Sequence, residues 1–201
     1  MSTAEVLVLY YSRHGSTAAL AQQVTRGIEA TPGARARVRT VPPLSTGDTD
    51  TAPDVPSSGP PFATHDDLRE CDGLALGSPT RFGSIAVPLK HFLESTSALW
   101  LNGALDRKPA AVFTSTTTQH GGQEATLLGM MVPLLHHGML MVGLPYTAEA
   151  LNRTTTGGTP YGASQVSGGR VAQLSNDERE LAQLLGRRLA AVAVALKGIR
   201  A

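Results

Sequence analysis

Three short segments of the chain concentrate hydroxyls and glycines in patterns that suit ligand chemistry. The first, Ser12-Arg13-His14-Gly15-Ser16-Thr17, follows an apolar run and opens a stretch of helical period. A glycine, several hydroxyls and a helix start supply backbone amides and a positive dipole end, which together suit a phosphate. The segment lacks the lysine of a nucleoside-triphosphate loop, and the chain has no Gly-x-Gly-x-x-Gly. A phosphate cradle without lysine or magnesium ligands reads as a site for a stably held monophosphate. The same residues also suit an ordinary capped βα turn. The second segment is Ser78-Pro79-Thr80-Arg81-Phe82-Gly83, and the third is Thr114-Ser115-Thr116-Thr117-Thr118-Gln119-His120-Gly121-Gly122-Gln123-Glu124. Their hydroxyls, glycines and scarcity of carboxylates suit a flat, hydrogen-bonding heterocycle held by backbone groups. No nucleophilic triad or acid pair is visible, so no side chain is assigned a catalytic role. None of the six histidines has ligand spacing with a partner carboxylate, so no metal site is expected.

The elements that position these segments follow from periodicity. Val6 to Tyr11, Gly73 to Ser78 and Ala110 to Ser115 are short continuous apolar runs, as in parallel strands buried on both faces. Arg35 to Val41 is polar at alternate residues, which predicts an edge strand whose arginines form a solvated face. Met139 to Val142 makes a fifth strand. Between the strands lie helical stripes: Leu20, Val24 and Ile28, then Leu89, Phe92 and Leu93, with Pro88 in a first turn. Thr64 caps a short helix. Glu124 to His137 is apolar nearly all round, which marks a deeply buried helix or a subunit contact. Ser175 and Glu178 form a capping box that starts a closing helix. Five β–α units imply a doubly wound, five-stranded parallel sheet with helices on both faces, in a single domain spanning 1–201. In such a sheet ligands bind beyond the carboxyl ends of the strands, where all three segments fall. Residues 42–63, rich in Pro and Ser, read as a long loop, and 143–173 as a Gly- and Pro-rich excursion long enough to be functional.

Composition narrows the function classes. A formal net charge of +1 supports neither a nucleic-acid footprint nor a membrane surface. One cysteine, Cys71, permits no intrachain disulfide and fits a reducing cytoplasm. It sits between Glu70 and Asp72, where negative charge disfavours a thiolate. No apolar run approaches a membrane span or a signal peptide, so a cytoplasmic protein is expected.

The strings VLVLYYS, GSPTRFGS, GGQEATL, HHGM and GGTPYGAS, in this order and spacing, resemble the type IV NAD(P)H:quinone oxidoreductases, or WrbA group. These are flavodoxin-like FMN enzymes first described as tryptophan-repressor-binding proteins. The resemblance runs from Val6 to the last helix, and PTRFG and GGTPYG are its most specific parts. It implies a flavodoxin-like fold, bound FMN, NADH or NADPH as co-substrate, and two-electron transfer to a quinone by a ping-pong route. It further implies that Ser12 to Thr17 wrap the FMN phosphate, and that Pro79 to Gly83, chiefly Thr80, Arg81 and Phe82, run beside the isoalloxazine. Ser115 to Gly121 would hold the ribityl chain and ring edge, and His136 would approach the flavin. His14 would lie near the nicotinamide nucleotide and Trp100 in the quinone pocket. Homotetramers with sites shared between subunits are implied as well. Thr117, Gln119 and His120 stand where relatives often carry glycine, and Ser84 replaces a frequent asparagine. Apart from the resemblance, Trp100 also suits a core or interface anchor, and the His136–His137 pair suits a helix dipole. A one-electron carrier flavodoxin and a non-catalytic interaction module are the alternatives. Carriers typically present an acidic surface, and no basic patch or recognition helix favours the module.

Overall fold

Every residue of Ala4–Tyr10 (β1) is buried, because the strand runs inside a parallel sheet covered on both faces. The computed structural model describes residues 3–44, 56, 58–169 and 173–200. The sheet order is β2-β1-β3-β4-β5, with β2 at Ala34–Thr40, β3 at Gly73–Pro79, β4 at Pro109–Thr116 and β5 at Leu140–Met141. Alternate residues of β1 face opposite layers. Val6, Val8 and Tyr10 pack with Leu20, Val24 and Ile28 of α1 (Ser16–Glu29) and with Leu181, Leu185 and Leu189 of α7 (Asn176–Arg200). Leu7 and Leu9 pack with Leu89 and Leu93 of α3 (Val87–Glu94), Leu99 of α4 (Ser97–Leu101), and Leu127, Met130 and Leu134 of α5 (Gln123–His136). Two apolar layers explain why β1, β3 and β4 read as unbroken hydrophobic runs.

The fifth sheet position is shared by two short strands. β5 pairs with Pro109 and Ala110 of β4, while β6 (Ala163–Val166) pairs in parallel with Phe113 to Thr116. The expected 143–173 excursion therefore is not all loop. It leaves the sheet after β5, forms α6 (Glu149–Arg153), and returns as β6 to complete the far half of β4. Of the expected 42–63 loop, residues 45–55 and 57 lie outside the described residues. Its end rejoins the sheet edge, where Thr40 N donates to Pro61 O at 3.0 Å and Ala63 N to Thr40 O at 2.8 Å. No described helix is long and apolar enough to cross a membrane.

The arginines of β2 are not a freely solvated face. Arg39 Nε reaches both carboxylate oxygens of Asp67, at 3.1 and 3.0 Å, and Arg37 Nη1 reaches Asp67 Oδ1 and Glu70 Oε2, each at 3.0 Å. Arg35 and Arg37 also pair with Glu5 of β1. Asp67 belongs to α2 (His65–Glu70) and closes a capping box with Thr64. Burial alone would raise the Asp67 pKa. The Thr64 amide and the Arg39 and Arg37 guanidiniums outweigh it and hold the carboxyl below its ordinary range. A carboxyl depressed in the folded state contributes stability above its unfolded pKa and loses it as pH falls through the folded value. Asp67→Asn should therefore cost about 2–3 kcal/mol at neutral pH. In urea titrations its deficit against the parent should shrink as pH falls through the acid range. An equal deficit at pH 7 and pH 3 would refute the ionised role.

Candidate functional site

The carboxyl ends of β1, β3 and β4 open on one cavity of about 380 Å³, within the size range of small-molecule sites. Its first wall is the turn from β1 into α1. Ser12 Oγ accepts from Gly15 N at 3.2 Å and Ala18 N at 3.3 Å, which leaves the hydroxyl proton to donate. Gly15 caps α1 at φ 89°, it contributes no side-chain cap, and no acidic residue stands in the first turn. The positive end of a four-turn helix thus meets the cavity. Thr17 Oγ1 and the third segment's Ser115 Oγ share a buried hydrogen bond of 2.8 Å, tying these two walls together.

The second wall continues β3. Thr80 N donates to Ser115 O at 2.9 Å, and Arg81 and Ser84 exchange backbone bonds of 2.8 and 3.0 Å across a two-residue turn. Phe82 and Gly83 occupy that turn at φ 52° and 75°, both in the left-handed region. For Phe82 this conformation is strained, and its ring is fully exposed. Thr126 Oγ1 of α5 donates to Thr80 Oγ1 at 2.7 Å. Gly122, at φ 80°, lies so close that a Cβ there would stand 2.8 Å from Gly83 Cα. The second and third segments therefore meet backbone to backbone.

In the third wall, Thr116 Oγ1 donates to Thr118 O at 3.2 Å and Gly121 N donates to the same carbonyl at 3.1 Å, curling the segment over the cavity. A fourth wall had not been read from the sequence. Ser167 and Gly169 line the cavity, placed there because Ser167 N donates to Thr116 O at 2.9 Å and Gly168 N to Thr117 O at 3.0 Å. A signal was available, since Ser167-Gly168-Gly169 repeats the hydroxyl-plus-glycine composition of the other segments.

Of the residues singled out from the sequence, Ser12, Arg13, His14, Ser16 and Thr17 line this cavity, as do Pro79, Thr80 and Arg81. Ser115 to Thr118 and Gly121 line it as well. Gly15, Phe82 and Gly83 shape its turns, while Gln119 and His120 stand exposed on the third segment without lining it. No lining residue is a carboxylate, and Arg13, His14 and Arg81 contribute the cationic and imidazole groups. The composition suits an anionic, hydrogen-bonding ligand.

Trp100 and His136 do not join them. They line a second cavity of about 540 Å³ between α3, α4 and α5. A βα unit sends its helix back along the sheet. At 1.5 Å per residue, His136 lies about 20 Å beyond the start of α5. Trp100 is half exposed, so it is not a core residue of its own chain. Neighbouring His137 shares a 3.0 Å hydrogen bond between Nε2 and Thr96 Oγ1. Burial, helped by the charge of His136, holds His137 below the ordinary imidazole value, which keeps it neutral near pH 7.

Comparison with known proteins places these features in a family. The model of the NADPH-dependent FMN reductase family matches residues 4–151. A protein of Solidesulfovibrio magneticus described as NAD(P)H dehydrogenase (quinone) is 40% identical over 195 residues, covering 93% of this chain and 96% of its own. One of Geobacter sulfurreducens with the same description is 41% identical over 201 residues, covering 96% and 99%. Among solved structures, a WrbA-like flavodoxin from Agrobacterium tumefaciens superposes with a TM-score of 0.66 at 22% identity, covering 95% of this chain and 98% of that one. That likeness speaks for the fold.

Proposed function

The chain belongs to the NADPH-dependent FMN reductase family, alongside the NAD(P)H dehydrogenases (quinone), and from that premise we propose that it binds FMN and uses NAD(P)H to reduce a quinone. The observation that carries the reading is the carboxylate-free cavity at the strand ends, entered by the glycine-capped start of α1 with no acidic residue in its first turn. Its donors fit a flavin mononucleotide. Ser12 to Thr17 offer amides and hydroxyls to a phosphate. Thr80 to Phe82 offer backbone groups to a ring edge. Thr116 to Gly121, with Ser167 and Gly169, offer hydroxyls and amides to a polyol chain and the remaining ring edge. When bound, FMN supplies the two-electron chemistry, accepting hydride from the nicotinamide and passing reducing equivalents to the quinone. The protein's share is binding, orientation and exclusion of water, which explains why no nucleophile or acid pair is needed. A single stacking position serving both substrates in turn implies ping-pong kinetics.

The active unit in this reading is a homo-oligomer, a tetramer by family resemblance. What supports it is the exposed apolar stripe of α5 together with the distance of His136 and Trp100 from the cavity of their own chain. In a tetramer the second cavity of one subunit would face the ring end of another's flavin, so that Trp100 stacks on the quinone. Phe82, strained and uncovered in one chain, would be covered by the same contact.

Titrating the apoprotein with FMN should quench flavin fluorescence to a 1:1 endpoint with a Kd of about 1 µM or tighter. Anaerobic addition of NADH or NADPH should then bleach the bound flavin, and a benzoquinone should restore its colour. Absence of FMN binding would end the proposal. Binding without bleaching by either nucleotide would favour an electron carrier instead.

A further inference from the structure

Glu178 is 1% exposed, yet no Lys or Arg pairs with it among the described residues. Its carboxylate is satisfied by backbone alone. Oε1 accepts from Gly157 N and Val166 N, each at 2.9 Å, and Oε2 accepts from Ser175 N at 2.8 Å. The capping box accounts for the Ser175 bond, which any helix start of this type would make. It does not account for the other two, which reach out of α7 to both ends of the segment folding back to form β6.

That segment leads to the cavity. Gly157 packs so tightly on the carboxylate that a Cβ would stand 2.7 Å from Glu178 Oε1 and 2.1 Å from Ser164 O. One residue on, Gly158 N donates to Ser164 Oγ at 2.7 Å, and Ser164 Oγ donates to Gln123 Oε1 at 2.6 Å. Gln123 Nε2 in turn donates to Gln119 O at 3.1 Å. On the other branch, Val166 is the residue before Ser167 and Gly168, whose amides bond Thr116 O and Thr117 O. Both branches end on the third wall, and one of them delivers the fourth.

We propose that Glu178 is a positioning residue for the flavin site: its buried carboxylate sets the path of residues 157–169 and thereby places Ser167 and Gly169 against the third wall. A four-residue strand containing a glutamine and a serine has little intrinsic reason to hold its place. The three amides, with the positive end of α7, stabilise the charge in place of a cation. In exchange the charge fixes backbone that sequence propensity leaves undetermined.

The proposal rests on the flavin reading, and its test separates the two. Glu178→Gln keeps size but replaces one acceptor with a donor that faces backbone N–H groups. Leu189→Ala, which empties a core position of the same helix, supplies a matched loss of stability. FMN Kd, apoprotein Tm and amide exchange at Ser167 and Gly168 are measured on each. For Glu178→Gln the expected result is faster exchange at both amides and a Kd raised at least about tenfold. Leu189→Ala should lower Tm at least as far while leaving Kd within about threefold. The proposal is overturned if folded Glu178→Gln binds FMN as the parent does, or if both variants weaken binding in proportion to their Tm. Should Glu178→Gln fail to fold, Glu178→Asp keeps the charge but shortens its reach to Gly157 N and Val166 N, and unchanged Kd and exchange there overturn the proposal equally. A parent protein that binds no FMN would remove the flavin reading, while the exchange arm would still decide whether Glu178 positions the wall.

Discussion

Gly122→Ala is expected to weaken FMN binding at least about a hundredfold, equivalent to about 2.7 kcal/mol, in a protein that still folds. Two independent costs converge on the added methyl group. Gly122 sits at φ 80°, where an L side chain is strained by about 1 kcal/mol or more. The methyl also meets Gly83 Cα at 2.8 Å, and the atom it meets is backbone of a two-residue turn closed at both ends by Arg81–Ser84 bonds. That turn cannot yield by rotating a side chain. Relief comes only by moving the second and third walls apart, which widens the groove in which the flat ring is proposed to lie. The sheet and its two apolar layers lie below the turn, so apoprotein Tm should fall by only a few degrees. Gly198→Ala, at an α7 position where a Cβ meets nothing within 4 Å, serves as the neutral control. Binding of FMN by Gly122→Ala within threefold of the parent would show that the two walls do not close on the ligand together.

What could be read before the fold was known had a physical basis in each case. β1, β3 and β4 were legible because strands covered on both faces need unbroken apolar runs. The starts of α2 and α7 were legible because Thr64 is a residue type that caps a helix, and because Ser175 with Glu178 satisfies first-turn amides in a recognisable spacing. The three segments whose residues line the cavity stood out because backbone-lined turns select glycine and hydroxyls. β6 was not legible. Ala163-Ser164-Gln165-Val166 is short, half polar and set among glycines and prolines, and it is a strand because β4 runs on past β5 and offers an unpaired edge. The arginines of β2 looked solvated because their partners, Asp67 and Glu70, come from a helix some thirty residues away. The separation of His136 from the cavity at the strand ends was available in principle. A helix that follows a strand's carboxyl end runs back along the sheet, so a residue one helix length on belongs to the opposite end. Motif resemblance names residues without placing them, whereas one chain's topology sets His136 and Trp100 in a cavity apart from the one at the strand ends.

The largest effect on turnover is expected from a residue that touches neither cavity's chemistry in its own chain. Leu128, Val132 and Leu135 recur at helical spacing along α5 and are 44, 54 and 56% exposed. Leu101 and Trp100 extend the apolar surface beside them at 74 and 51%. An isolated exposed leucine needs no explanation, but a contiguous stripe of this kind marks a surface that another chain covers. Leu135→Glu places a carboxylate in that stripe, at a position that lines neither cavity. In the free subunit the substitution is solvated and should shift stability by less than about 0.5 kcal/mol. In an assembled interface the same charge is buried without a partner and costs several kcal/mol, which dissociates the oligomer at micromolar concentration. FMN binding, which in the proposed reading rests on the four walls of one chain, should be retained. Quinone reduction should not be, because His136 lies about 20 Å beyond the start of α5 and in the proposed arrangement would reach a flavin only across an interface. The expected outcome is a monomer in sedimentation velocity that binds FMN within about threefold of the parent yet has lost about a hundredfold or more of kcat/KM for quinone. A monomeric Leu135→Glu that reduces quinone at the parental rate would show that one chain is sufficient, and Trp100 and His136 would then have no place in the substrate site.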